Sequence, residues 1–289
     1  MGEGSTKTYG IGGVRVSQAI REAAAGLVPT SDTARLDAEV LMAHAQGVTR
    51  SDLLLRRMDD PAPAEFTTLV ERRAAHEPVA YIIGTQEFFG LPFRVTADVL
   101  IPRGDSEVLV ERALTAKPNA HRVLDCGTGS GALLLAVLAN LSQAEGIGID
   151  RSAAALAVAS GNAESLGLRT RARMIAADWS QAGWAEGLGR FDLILANPPY
   201  VETDADLAPS VRSYEPAGAL FSGPEGLDDY RLLIPQLPDL LTPGGTALIE
   251  IGASQTHAVC TIAGESGFAT QVHHDLGGRA RVIELTLRA

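Results

Sequence analysis

The apolar run Phe191-Asp192-Leu193-Ile194-Leu195-Ala196 is halted by two consecutive prolines in Asn197-Pro198-Pro199-Tyr200. Five of the six lead-in residues are apolar, as expected of a strand buried on both faces in a parallel sheet. Proline has no N–H to give to a sheet ladder, so the strand must end at Asn197. A side-chain amide then stands at the carboxyl end of a strand, the edge where open α/β sheets bind ligands. Pro198 and Pro199 stiffen the turn, and Tyr200 adds a flat aromatic face. Such a corner suits a planar group bearing an NH2: the Asn197 oxygen and a nearby backbone carbonyl accept its two hydrogens while the ring lies against its plane. An ordinary strand-ending turn uses the same residues, so the rest of the chain decides.

From Arg122 onward strand-like and helix-like runs alternate. Strands are predicted at Arg122–Cys126, Gly146–Asp150, Arg173–Ala177, Asp192–Ala196, Thr246–Ile251, Thr270–His274 and Arg281–Leu287. Helices are predicted at Leu133–Leu141, Ala153–Leu166, Leu227–Leu241 and Gln255–Gly267. This alternation predicts an α/β doubly wound sheet of seven strands. Its last two strands are expected to be antiparallel and joined through Gly277-Gly278.

The N-terminal part reads differently. Residues 16–85 are predicted to form a small helical bundle. Leu36, Val40, Leu41 and His44 follow helical spacing, Asp32 or Thr33 is placed to cap, and Gly47 ends that helix. Ser51 is expected to open a second helix with Leu53, Leu54 and Leu55, and Pro61 and Pro63 to break the chain before a helix at Ala64–His76. Tyr81-Ile82-Ile83-Gly84, Glu87-Phe88-Phe89-Gly90 and Phe93-Arg94-Val95 read as hairpin texture, so residues 86–103 are predicted as a linking β-hairpin and 104–289 as the α/β domain. Residues 1–15 are expected to be a flexible leader; Met1-Gly2-Glu3-Gly4-Ser5-Thr6 fits a loose myristoylation pattern, for which a Gly/Ser-rich leader is the preferred account.

The formal net charge of −11 lacks the basic field of a general nucleic-acid binder. Arg56-Arg57 and Arg72-Arg73 read as solvated helix faces. The two cysteines, Cys126 and Cys260, sit in apolar surroundings without metal-ligand spacing, and the six histidines form no ligand pair. No metal is therefore expected, and reduced thiols suit a cytoplasmic protein. No apolar run reaches a membrane-spanning length of ~18 residues, and no signal-peptide core is visible.

Strand ends carry the chemistry. The first strand runs into Asp125-Cys126-Gly127-Thr128-Gly129-Ser130-Gly131, whose alternating glycines let a ligand lie against the backbone at a helix N-terminus. The spacing is GxGxG rather than the GxGxxG of dinucleotide sites. Asp125 would repel a pyrophosphate but attract an ammonium. Asp150 ends the second strand, where a carboxylate holds ribose hydroxyls, although it could instead cap the helix after Arg151. Asp178 and Trp179 end the third, offering an acceptor for an exocyclic amine and a surface for a purine, although Trp179 could simply be core. With Asn197 ending the fourth strand, one sheet edge is lined for adenosine joined to an amino acid. That points to S-adenosylmethionine and methyl transfer.

GTGSG, the Asp150 strand, NPPY, Tyr214-Glu215-Pro216 and Gly223-Pro224-Glu225-Gly226-Leu227 resemble the peptide-chain release factor glutamine methyltransferase family (PrmC/HemK). The likeness extends to Asp37-Ala38-Glu39, Pro78-Val79-Ala80-Tyr81, Ile101-Pro102-Arg103, Glu250-Ile251-Gly252 and Gly278-Arg279-Ala280-Arg281. The chain departs from the family at Gly104, Ser106 and Cys126, where proline, threonine and leucine are usual. NPPY is shared with adenine N6 methyltransferases; relatives that modify a ribosomal-protein glutamine carry a loop one residue longer after Pro-Arg.

The resemblance implies a Rossmann-like class I methyltransferase with a helical N-terminal domain. The implied reaction is N5-methylation of the Gly-Gly-Gln glutamine of class I release factors. The implied catalytic residues are Asn197, Pro198 and Tyr200, with Pro199 also contacting substrate. The cofactor would be held by Asp125, Gly127, Thr128, Gly129, Ser130, Gly131, Asp150, Asp178, Trp179 and Asn197. Arg103, Glu107 and Glu215 either position substrate or form a structural ion-pair set. The alternatives are a nucleic-acid methyltransferase of base amino groups, a ribosomal-protein glutamine methyltransferase, a non-enzymatic docking module and a dinucleotide oxidoreductase.

Overall fold

A computed structural model describes residues 13–288. They form two compact units, one of the described residues up to Gly84 together with Pro209–Tyr214, the other of Thr85–Ala208 and Glu215 onward. The sequence did not show that Pro209–Tyr214 joins the helical unit; there Tyr214 donates its hydroxyl to the Ala75 carbonyl at 2.8 Å.

The helical unit contains Val16–Leu27, Ala34–Gln46, Arg50–Asp52 continuing as π-helical Leu53–Arg57, Glu65–Ala74 and Val79–Ile83. Its core is built from Val16, Ile20, Leu27, Leu41, Met42, Leu53, Phe66 and Ile82. The buried face of Ala34–Gln46 is carried by Ala34, Asp37, Ala38, Leu41 and Met42, not by the expected Leu36 and His44. Leu36 is 44% exposed, because the buried stripe runs through positions 34, 37, 38, 41 and 42 at helical spacing and leaves position 36 beside it. Leu55 is likewise exposed. Thr33 occupies the N-cap position but does not cap; its hydroxyl donates to Asp37 at 2.8 Å. The next helix opens at Thr49, whose oxygen accepts from Asp52 N, rather than at Ser51. Tyr81–Ile83, expected to be extended, are helical, and Gly84 ends that helix with φ 75.

Part of the expected leader is fixed. Arg15 bridges to Pro61, and Ala62 N donates to Val14 O at 2.9 Å; the leader's residues 1–12 lie outside the described residues.

Asp37 is buried because it collects donors from Ser31 at 2.7 Å, Thr33 at 2.8 Å and Arg73 Nε at 2.7 Å. Arg73 is thus a buried ion-pair partner rather than part of a solvated face. Removing one member of a buried pair leaves the other charge uncompensated, so Asp37→Ala is expected to destabilise the helical unit by about 3–5 kcal/mol. Urea unfolding of the whole chain, set against Asp37→Asn as the milder variant, measures this.

The second unit is built on a seven-stranded sheet ordered β5-β4-β3-β6-β7-β9-β8. Its strands are β3 (Arg122–Cys126), β4 (Glu145–Asp150), β5 (Ala172–Ala176), β6 (Phe191–Ala196), β7 (Leu241–Glu250), β8 (Phe268–His274) and β9 (Ala280–Leu287); β1 (Thr85–Phe88) and β2 (Leu91–Arg94) form a separate hairpin. β5 through β7 pair in parallel, and β9 runs antiparallel to both β7 and β8. Chain order reverses between β3 and β6, which opens a crevice at their carboxyl ends.

Alternation fills both faces of the sheet. Val123, Leu193 and Leu195 enter one core, while Leu124, Ile194 and Ala196 enter the other. The predicted helix at Leu227–Leu241 is α-helical only over Asp228–Leu233 and continues as a 3-10 helix, Ile234–Leu240. Pro235 and Pro238 lack the N–H groups an α ladder needs.

The hairpin is part of this unit rather than a linker. Phe89 and Gly90 both have positive φ, 52 and 73, as a tight type I′ hairpin turn requires. Phe88 and Phe93 meet edge to face at 6.2 Å and are buried in the same core as helix Ala132–Asn140. Asn162, 1% exposed, bonds both the N–H and the carbonyl of Arg94, at 2.8 and 3.0 Å, and donates to Ser130 O at 2.8 Å. One amide thus ties the hairpin to the glycine loop.

Candidate active site

The cleft at the carboxyl edge of β3–β6 has an empty volume of about 1090 Å³, part of it open to solvent. Gly127, Thr128, Gly129, Ser130, Asp150, Asp178, Trp179, Asn197 and Pro199 line it. Asp125, Gly131, Pro198 and Tyr200 are not part of its wall. Sequence alone assigned no site role to Phe88, Val99, Leu100, Arg151, Pro216 and Gly218, which also line the cleft. They come from the hairpin and from later loops, so only tertiary folding brings them there.

The glycine loop has the form its spacing implied. Gly127 sits at φ 77, and a Cβ there would lie 3.2 Å from the Trp179 ring, so the bare loop backbone packs directly against the indole. Gly131 does different work. It precedes helix Ala132–Asn140 at φ 83, and a Cβ would press within 2.9 Å of Leu135 and 3.3 Å of Ala159. It sets the packing of that helix.

Asp125 lies beneath the loop, 0% exposed, with Thr128 Oγ1 donating to its Oδ2 at 2.7 Å. Its Oδ1 is buried without a hydrogen-bond partner among the described residues. Burial raises this carboxyl to about 7; the Thr128 hydroxyl opposes the shift and the Asp150 charge adds to it.

Asp150 holds two backbone groups: Gly129 N at 3.0 Å on Oδ2 and Ser152 N at 2.9 Å on Oδ1. The following helix is capped by Ser152, which accepts from Ala155 N at 3.2 Å, and not by Asp150. Each Asp150 oxygen keeps acceptor capacity. Asp178 accepts Ser180 N at 2.9 Å; this bond, ahead of the Ser180 hydroxyl, keeps its carboxyl below the ordinary aspartate range. Trp179 spends its only N–H on Asp229 Oδ1 at 3.0 Å, and Asp229 is held in turn by the Ser222 hydroxyl at 2.8 Å. What remains of the indole is an apolar surface.

Asn197 follows β6 directly, half-buried. No hydrogen bond to its side-chain amide is formed by the described residues, so both its oxygen and its NH2 are uncommitted. The adjacent turn is held from below: Gln255 Nε2 donates to Tyr200 O at 2.9 Å, and Val201 N donates to Leu220 O at 2.8 Å.

Arg103 also lines the cleft and pairs with Glu215, which is buried and takes Ile101 N at 3.3 Å. Glu107 accepts Phe89 N at 2.9 Å and so supports the hairpin turn. Among the described residues no group of three or more His, Cys, Asp or Glu is arranged to hold a metal ion, and no helix is long and apolar enough to cross a membrane.

Sheet order, glycine loop and strand-end residues together define a class I methyltransferase. A methyltransferase domain model matches residues 117–275, and a PrmC N-terminal domain model matches residues 18–84. The chain is 43% identical over 284 residues to the release factor glutamine methyltransferase of Cereibacter sphaeroides, covering 96% of this chain and 100% of that one. It is 44% identical over 246 residues to that of Geobacter sulfurreducens, covering 82% and 84%. A methyltransferase structure from Pyrococcus furiosus shares the fold, with a TM-score of 0.50, 16% identity and coverage of 74% and 97%. The chain belongs to the release factor glutamine methyltransferase family, and it is a methyltransferase.

Proposed function

We propose that this protein transfers a methyl group from S-adenosylmethionine to the side-chain amide nitrogen of the glutamine in the Gly-Gly-Gln motif of class I peptide-chain release factors. The observation that carries this reading is the uncommitted amide of Asn197, fixed at the end of β6 in the wall of the cleft.

The cleft fits such a cofactor on two structural grounds. The orphaned Oδ1 of buried Asp125 has the chemistry to take up an ammonium, directly or through water. The Trp179 indole, packed against Gly127 and with its ring N–H committed to Asp229, presents an apolar face in the cleft wall that suits a flat adenine-bearing ligand. Asp150 would take the ribose hydroxyls, Asp178 the exocyclic amine, Trp179 the purine face and Gly127–Ser130 the amino-acid portion. Bound there, S-adenosylmethionine supplies an electrophilic methyl group on its sulfonium.

The protein's task is to make a poor nucleophile attack. An amide nitrogen has a delocalised lone pair, so orientation and electrostatic support must supply most of the acceleration. Asn197 Oδ1 and the Pro198 carbonyl accept the two amide hydrogens, which aims the nitrogen and stabilises the positive charge that grows on it. Pro199 stiffens the turn, and the Tyr200 ring lies on the amide plane. As the new N–C bond forms the nitrogen becomes acidic and loses a proton to water, so no strong base is required. The helical unit is the proposed recognition domain for the release factor, in keeping with the family.

Mass spectrometry tests this directly. A class I release factor incubated with the full chain and S-adenosylmethionine is expected to gain one methyl mass on the Gly-Gly-Gln glutamine side chain. Methyl found on DNA or RNA instead would reassign the substrate to a base amino group.

A further inference from the structure

Asn197-Pro198-Pro199-Tyr200 leaves the sheet at the end of β6, and two of its four residues have no N–H with which to tie the turn down. Donors come instead from the neighbouring strand end. β7 pairs with β6 in parallel, Ile249 beside Ala196, so the segment that follows β7 emerges next to this turn. There Gln255 precedes the helix Thr256–Glu265. Its backbone N–H donates to Gly252 O at 2.9 Å, and its carbonyl accepts Val259 N at 3.0 Å.

The Gln255 side chain is fully used. Its Oε1 accepts Gly252 N at 3.0 Å, while its Nε2 donates to Tyr200 O at 2.9 Å and to Gly226 O at 3.1 Å. An amide supplies both needs, an acceptor for one N–H and two hydrogens for two carbonyls. Gly226 sits at φ 66, and a Cβ there would lie 2.3 Å from Tyr200 O and 2.8 Å from Gln255 Nε2. Only a residue without a Cβ leaves room for that meeting. On the other side, a Cβ on Gly252 would lie 3.4 Å from Tyr200 Cδ2, so the Tyr200 ring lies beside bare backbone. Gln255, Gly252 and Gly226 are not part of the cleft wall, whereas Asn197 and Pro199 are. The clamp therefore acts on the turn and leaves the cofactor cleft to other residues.

We propose that Gln255 is a positioning residue for methyl transfer: its amide ties the Tyr200 and Gly226 carbonyls to the segment after β7 and so fixes the turn that presents Asn197 and Tyr200 to the acceptor. This rests on the acceptor-site role proposed above for that turn. Gln255 itself touches neither substrate nor cofactor in this assignment. A misplacement of ~1 Å at a reacting centre costs about 10²-fold in rate, so a released turn shows in kcat.

The test uses the full chain with release factor and S-adenosylmethionine. Gln255→Glu keeps an oxygen for Gly252 N but has no hydrogens for the two carbonyls; Gln255→Met fills a similar volume and makes none of these bonds. Each variant is expected to lower kcat about tenfold or more. The Kd for S-adenosylmethionine should stay within about twofold and KM for the release factor within about threefold, because the cleft wall is untouched. A Glu variant with kcat within about threefold of wild type overturns the proposal. Loss of cofactor binding in both variants also overturns it, by making Gln255 a general support of the fold.

A second readout needs no substrate. In protein made with 1-13C tyrosine and 15N valine, the Tyr200–Val201 peptide bond alone carries both labels, since the chain has no other Tyr-Val pair. Its single carbonyl–amide NMR signal is expected to move upfield in both variants as the Tyr200 carbonyl loses its donor. A Tyr200 carbonyl signal unchanged in both overturns the clamp. If wild type methylates no release factor, the function proposed above fails, while this signal still decides whether Gln255 holds the turn.

Discussion

Asn197→Ala abolishes measurable transfer to the release factor, lowering kcat by about 10²–10³ or more, while the Kd for S-adenosylmethionine stays within about threefold. The size follows from what removal of one preorganised electrostatic contact does at a reacting centre, roughly 3–4 kcal/mol of transition-state stabilisation. Asn197 is half-buried at the end of β6 with no side-chain bond to other described residues. Truncation therefore orphans no partner and should leave the fold intact. Single-turnover methylation together with calorimetric cofactor titration separates the two effects. Transfer retained within tenfold would remove Asn197 from the mechanism, and loss of cofactor binding would make it a cofactor residue.

Asp150→Ala gives the opposite pattern: the Kd for S-adenosylmethionine rises about 10²-fold, and kcat at saturating cofactor changes little. The carboxylate does two things at once. It restrains the glycine loop through Gly129 N at 3.0 Å and the next helix through Ser152 N at 2.9 Å, and it presents its remaining lone pairs to the proposed ribose site. A hydrogen bond to a charged group contributes about 1.5–3 kcal/mol, and about 1.4 kcal/mol is a factor of ten in affinity, so losing one or two such bonds accounts for the change. Calorimetry on the variant, with Asp150→Asn as the intermediate case, measures it. A collapse of kcat with Kd unchanged would move Asp150 from cofactor binding to chemistry.

Much of the catalytic unit was legible because local rules and tertiary demands agree there. A strand in a doubly covered parallel sheet must be apolar throughout, and Leu193, Ile194 and Leu195 are. A chain that meets two prolines must leave the sheet, so Asn197 could stand nowhere but at its edge. Alternating glycines need positive φ, and Gly127, Gly129 and Gly131 have it. The helical unit was less legible. Leu41 is on the buried face of Ala34–Gln46 as its spacing implies, but Ala34, Ala38 and the hydrogen-bonded Asp37 share that face, where Leu36 and His44 are expected.

The sequence by itself determined the strand order's raw material: seven strand segments, the glycine loop and the acids and amide that end the strands. These are properties of short windows, where periodicity and backbone sterics act without knowledge of the rest. The tertiary structure alone decided which side chains hold those residues in place. Asn162 reaches Arg94 across a sequence separation of 68 residues, Asp229 reaches Trp179 across 50, and Gln255 reaches Tyr200 across 55. It also decided that Gly131 and Asp125 support the loop from below while Gly127 and Asp150 face the cleft. A hydrogen bond or a buried charge depends on distance and exclusion of water, and for residues so far apart along the chain both are fixed only once the sheet and its helices have closed around them.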